Sequence, residues 1–140
     1  MKLFLFALLF GLGFAAAAHA DDYAGEISAY RRANGLSVVK ADGRLAAAAL
    51  KQAQAMASSG KVTHEAGGNF SSRVAPLRKS RAAENIGAGF LTFAEMLKEW
   101  KDSRGHRENL LMPGARHVGV ASVANPGSPY RKFWAMVITD

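Results

Sequence analysis

Three residues of this 140-residue chain carry side chains suited to joint chemistry: His64, Glu84 and His106. Two imidazoles and a carboxylate are a common ligand set for zinc, with one position left for a water whose pKa the ion lowers towards neutral. Without a metal the same trio supplies general acid/base groups, since an unperturbed imidazole titrates near pH ~6.5. The alternative is a hydrogen-bonded structural role, because the three positions are far apart in sequence and no pair has the i, i+4 spacing of helical ligands. His117 is the remaining histidine beyond residue 20, and like the other two it falls at the edge of an element, outside any apolar stripe.

Several motifs fail on inspection. His64-Glu65 opens like a zincin helix, but Gly68 stands where the second histidine is required. Ser103 and His106 could meet on a helical turn, yet no glycine-flanked nucleophile elbow surrounds Ser103. Gly87-Ala88-Gly89 is too short for a phosphate loop and lacks the following lysine, which leaves nucleotide binding unsupported.

The elements that must position these residues are read from apolar spacing. Tyr23, Ile27 and Tyr30 predict a first helix over Asp22 to Asn34, with Asn34-Gly35 as a left-handed stop. A second helix follows Asp42 as N-cap, carries Leu45, Ala49, Ala53 and Met56 on one stripe, and ends at Ser58-Ser59-Gly60. Thr63 to Asn69 reads as a loop, and Phe70 to Lys79 as a short helix interrupted by Pro76. Thr92 and Glu95 form a capping box ahead of Phe93, Met96, Leu97 and Trp100 at helical spacing. Strands are predicted over Glu84 to Ala88, Val118 to Ala124 and Lys132 to Thr139, the last two pairing as a hairpin across Asn125-Pro126-Gly127-Ser128-Pro129. Helices first and antiparallel strands late make an α+β domain. His64 then lies in the loop after the second helix, Glu84 at a strand start and His106 just past the capped helix.

The first twenty residues read as an export signal: Lys2, an apolar run from Leu3 to Ala18, and Ala18-His19-Ala20 as a small-x-small cleavage pattern. A spanning helix needs roughly 20 apolar residues with polar flanks, so release is expected rather than anchoring. Residues 21–140 suit a single domain, expected to be secreted or periplasmic and monomeric, with no membrane span once the signal is cleaved. The chain has no cysteine, so packing and hydrogen bonds must stabilise it without disulfides. Losing Lys2 leaves 17 of the 18 basic residues against the same 11 acidic ones, a formal charge of +6. Outside the cytoplasm such a charge is drawn to anionic envelope components rather than nucleic acid, although Arg31-Arg32, Arg78-Lys79 and Arg131-Lys132 are scattered and read as a solvated basic face.

Taken in order, Tyr30-Arg31-Arg32-Ala33-Asn34-Gly35-Leu36, the Thr63-His64 loop, Ala83-Glu84-Asn85-Ile86-Gly87, the run from Trp100 through Gly105-His106-Arg107-Glu108-Asn109-Leu110-Leu111, and Val118-Gly119-Val120-Ala121 resemble the CAP superfamily, which includes cysteine-rich secretory, antigen 5 and pathogenesis-related 1 proteins. The similarity runs from about Ile27 to Val137, and the WxxSxGHRxNLL run resembles bacterial members. The resemblance implies an α-β-α sandwich with a central antiparallel sheet between helical layers. It also implies a cleft with two histidines and two acids, matched here by His64, Glu84 and His106. The second acid is expected to be missing, because Ser103 stands where many relatives have glutamate. Asn85, Arg107 and Asn109 are implied to be structural braces, and Trp100 core.

Family likeness does not fix activity. The leading expectation is an extracytoplasmic binding protein that uses the His/Glu cleft, with or without zinc, to engage an envelope lipid, glycan or peptide. A metal-assisted hydrolase is the second reading; there Glu84 is ligand or base, and if Glu84 is a ligand only Glu65 or Glu108 is nearby in sequence to act as base. A non-catalytic structural or interaction module is the third.

Overall fold

A computed structural model of the protein describes residues 22–140, so the predicted export signal over residues 1–20 lies outside the described residues. Helix α1 (Tyr23–Ala33) starts where the Asp22 carboxylate accepts the Gly25 N–H. Its stop differs slightly from expectation: Asn34 stays at negative φ, and Gly35 alone takes the left-handed conformation at φ 73°. Helix α2 (Gly43–Ser59) runs from Asp42, whose carboxylate accepts the Arg44 and Leu45 N–H groups, to a left-handed Gly60. Leu45, Ala49, Ala53 and Met56 are all buried, as their spacing required.

The next segment follows Pro76. Helix α3 (Phe70–Val74) tightens into a 3-10 turn over Ala75–Leu77, because Pro76 has no N–H to donate and its ring would clash with the carbonyl four residues earlier in a continued α-helix. Strand β2 (Ala82–Ala88) follows the two-residue strand β1 (Lys40–Ala41), which apolar pattern alone is too short to reveal. Helix α4 (Phe93–Asp102) carries the reciprocal Thr92/Glu95 capping box and buries Phe93, Met96, Leu97 and Trp100. A second helix, α5 (Arg104–Leu110), follows at once, and His106 lies inside it rather than in an open turn. Ser103, extended at φ −94° and ψ 124°, separates the two.

Strands β3 (His117–Asn125) and β4 (Arg131–Thr139) pair antiparallel, β2 pairs antiparallel with β4, and β1 joins β3 in parallel, giving the order β1-β3-β4-β2. The sheet is therefore antiparallel except at β1. Phe133, Ala135, Val137 and Ile86 point to one face and pack under α2. Trp134, Met136, Ile138, Val118 and Val120 point to the other, against Ile27 of α1, Trp100 of α4 and Leu110 of α5. The result is the expected α-β-α sandwich. On one side α2 sits close enough to the sheet that a Cβ on Gly119 would lie 2.0 Å from the Ala46 nitrogen. On the other, Phe93 contacts Tyr23, Trp100 and Trp134 with ring centroids 4.6, 6.2 and 5.8 Å away. No described helix is long and apolar enough to cross a membrane.

Candidate functional site

Strand β2 is an edge strand, and the candidate residues gather along it. Glu84 shares the α2 face with Ile86 and is only 5% exposed. A carboxylate so deep needs ionic and hydrogen-bonded partners to offset its lost hydration. Arg73 of α3 supplies them: Nη1 donates to Oε2 at 2.7 Å and Nη2 to Oε1 at 2.9 Å, a bidentate fork. The same guanidinium donates to the carbonyls of His64 (2.8 Å) and Gly68 (2.9 Å) and lies over the Phe70 ring.

His64 Nδ1 meets Glu84 Oε1 at 2.8 Å, and the imidazole stays about half exposed. Its loop is tied to α2 by Gln52, which is fully buried; Nε2 donates to the Thr63 carbonyl (2.8 Å) and Oε1 accepts the Gly67 N–H (3.0 Å). The structure brings His64 and Glu84 together in a direct hydrogen bond.

His106 is held differently. Its carbonyl accepts from Asn85 Nδ2 at 3.0 Å, while Asn109 Nδ2 donates to Asn85 Oδ1 (2.9 Å) and to the Glu84 carbonyl (3.2 Å). Asn85 and Asn109 are braces, as expected, and they brace α5 to β2. Arg107 ties α5 to the end of α4 through the Lys101 carbonyl, and Trp100 donates to the Ile86 carbonyl.

The expectation of a missing second acid is corrected by the structure. Glu99, one residue before Trp100, places Oε2 3.5 Å from His106 Nδ1. Both atoms are buried without a hydrogen bond, since that separation is too long for one. Ser103 separates α4 from α5. A cavity of about 450 Å³ opens beside Glu99, lined also by Phe90, Glu95, Lys98, Asp102 and Ser103.

Each of the two imidazoles thus has a carboxylate beside it. Glu84 and Asn85 are consecutive, so their side chains leave opposite faces of the strand, the first towards His64 and the second towards α5 and His106. In both cases a carboxylate stands at Nδ1, leaving Nε2 as the ring nitrogen with no partner among the described residues. An imidazole oriented in this way can donate to, accept from or exchange a proton with a ligand at Nε2. The described residues contain no group of three or more His, Asp or Glu side chains placed to hold a metal ion. Both Glu84 oxygens face Arg73, so His64, Glu84 and His106 as arranged do not present three free donors to one zinc.

The remaining candidates are engaged elsewhere. Glu65 is exposed and accepts from the Thr63 hydroxyl at 2.5 Å, which holds its carboxyl below the usual range. Glu108 pairs with Arg104 at 3.0 Å on the surface of α5. His117 lies 3.9 Å from the Asp42 carboxylate. Sequence reasoning missed Gln52, Arg73 and Glu99. Gln52 had a signal, since it interrupts the buried stripe of α2. Arg73 and Glu99 had none, because their partners lie across a loop and beyond a break between helices.

Comparison with known proteins bears on this geometry. Residues 24–138 match the family model of CAP, the cysteine-rich secretory protein family. The uncharacterized protein YkwD of Bacillus subtilis (strain 168) is 48% identical over 42 residues, a stretch that is 30% of this chain and 16% of that protein. The fold resembles an extracellular protein containing a SCP domain from Bacillus anthracis str. Ames, with a TM-score of 0.69 and 24% identity over 81% of this chain and 37% of that one. It also resembles an outer surface protein from Borrelia burgdorferi, with a TM-score of 0.73 and 17% identity over 83% and 87% of the two chains. The chain therefore spans well under half of the two Bacillus proteins.

Proposed function

The chain belongs to the CAP family, and from that premise we propose an extracytoplasmic binding protein that engages an envelope lipid, glycan or peptide through the surface around His64 and His106. The observation that carries the reading is the paired arrangement of two imidazoles, each with a carboxylate at Nδ1 (2.8 Å for His64, 3.5 Å for His106) and Nε2 left for a ligand. The extracellular and outer-surface proteins of the same fold support placement outside the cytoplasm, as does the export-type sequence of residues 1–20.

A second reading, a hydrolase, is favoured by one contact. His64 against buried Glu84 is a base with its orienting acid. Among the described residues no Ser or Thr side chain is hydrogen-bonded to His64, so the nucleophile would be water. A metal-assisted version gains little from Glu65 or Glu108, which are already partnered.

The test is co-sedimentation of the protein with phospholipid vesicles and with isolated cell-wall polymer, comparing wild type with His64→Ala and His106→Ala. Binding to either material, lost in one or both variants while their unfolding midpoints stay within a few degrees, is the expected result. Equal binding by all three proteins overturns the reading. Calorimetry with zinc near pH ~7.5, where imidazoles are neutral, should give no micromolar site; one abolished by both substitutions would replace this reading with a metal-dependent one.

A further inference from the structure

Basic residues scattered along the sequence converge in the fold at the end of the sheet remote from the β3–β4 turn. Arg78 and Lys79 follow the 3-10 turn, Arg81 immediately precedes β2, and Arg116 immediately precedes β3. The register sets Ala82 and His117 on either side of Thr139, so the starts of β2 and β3 meet beside the end of β4. A groove of about 510 Å³ lies there, lined by Arg78, Lys79, Gly114, Arg116, His117 and Asp140.

Charge and backbone shape both distinguish this groove from a solvated basic face. Asp140, the one acidic side chain lining it, accepts from the Ser80 hydroxyl and from the Arg81 backbone N–H, and these donors hold its carboxyl below the usual range. Lys79 gives its ammonium to the Asp140 backbone oxygen at 3.2 Å. The guanidinium groups of Arg78 and Arg116 have no hydrogen bond or ion pair among the described residues. Arg78 is in the left-handed region at φ 54° and ψ 46°, a conformation that a non-glycine residue adopts at a cost and that clusters at ligand sites. Gly114 is also left-handed, and a Cβ there would lie 2.6 Å from Arg81 Nη2, so glycine lets that guanidinium lie over the loop and donate to the Pro113 carbonyl.

We propose that this groove is a phosphate-binding site, with Arg78 and Arg116 engaging phosphate oxygens and Lys79 and Arg81 raising the positive potential around them. Phosphate fits because it carries more than one negative charge and offers several oxygens to converging guanidinium forks, which a single carboxylate does not. A lipid headgroup, a wall polymer and a soluble molecule can each bear that phosphate, and the recognising chemistry is common to all three. This site is separate from the His64 and His106 surface and does not depend on the role given to it.

The probe is pyrophosphate, titrated calorimetrically into the purified protein at low ionic strength. Arg78→Gln with Arg116→Gln should weaken binding at least tenfold, and the charge-matched pair Arg32→Gln with Lys61→Gln, both exposed and neither lining the groove, should change it less than twofold. His64→Ala and His106→Ala should leave it unchanged. Flotation with phosphatidylglycerol vesicles against phosphatidylcholine vesicles identifies the source. Selective flotation lost in the Arg78/Arg116 variant supports a lipid headgroup, whereas pyrophosphate binding without flotation supports a polymer-borne or soluble phosphate. Absence of pyrophosphate binding in the wild type, or equal weakening by both double substitutions, overturns the site.

Discussion

Arg73 holds Glu84 by two N–H···O contacts of 2.7 and 2.9 Å, and this buried pair decides what the carboxylate can offer to anything else. The side chains are 11% and 2% exposed, so removing one partner strands a charge in a poorly hydrated place. Arg73→Met should therefore cost about 3–5 kcal/mol in urea unfolding. Arg73→Lys should recover only part, since a point charge cannot reproduce the fork. A loss under ~1 kcal/mol for Arg73→Met would mean that the pair is solvated and does not organise the His64 loop.

Asn85 positions His106 without touching His64. Replacing it with Ala leaves the His106 carbonyl without its side-chain donor and Asn109 Nδ2 with the Glu84 carbonyl alone, at a cost of about 1–3 kcal/mol. Imidazole NMR should show the His106 resonances moving while those of His64 stay in place. Equal movement of both would show that the two imidazoles are coupled through β2.

Asp42 links helix capping to pH. Burial pushes its carboxyl up, but hydrogen bonds from the Leu45 and Arg44 N–H groups and the charge of His117 outweigh this, so the folded-state pKa is lowered. A depressed carboxylate stabilises the fold above its unfolded value of about 3.9, and that contribution disappears as pH falls through the lower folded value. Asp42→Ala should thus cost about 1 kcal/mol at pH 7, with the gap from wild type closing below about pH 4. A gap that persisted undiminished at pH ~2 would show that the carboxylate's charge is not what matters.

Gly119 sets the distance between α2 and the sheet. A Cβ there would sit 2.0 and 2.3 Å from backbone atoms of Ala46 and Leu45, and backbone cannot rotate aside. Gly119→Ala should lower stability by about 3 kcal/mol or more, the upper end for overpacking. Gly43→Ala is the control, because a Cβ there meets nothing within 4 Å. Similar melting temperatures for the two variants would contradict the close packing.

Much of the fold was legible because it depends on local rules. The Thr92/Glu95 box and the four buried positions after it are one turn of capping chemistry followed by a 3.6-residue period, and both are properties of a short window of sequence. Alternation in 131–139 likewise exposes one apolar set to each helical layer. Strand β1 escaped because two residues, Lys40 and Ala41, make no pattern; their pairing with His117 and Val118 exists only once β3 is in place. Helix α5 escaped because Arg104–Leu110 buries only Leu110 and so carries no apolar period.

For the site, the sequence by itself determined the residue types, His64, Glu84 and His106, and put His64 in the loop after α2, whereas Glu84 and His106 lie inside β2 and α5. It also determined the caps that fix those elements, because a cap is satisfied by neighbours three residues away. Only the tertiary structure decided the partners. Arg73 takes Glu84, and Glu99 comes to His106, across loops and helix breaks that no spacing rule spans. The alternation of Glu84 and Asn85 then sends the two histidines' supports to opposite faces of one edge strand, and the sheet register gathers Arg78 and Arg116 into one groove. Both outcomes follow from long-range packing, whose geometry is set when the two helical layers close on the sheet and not by any segment alone.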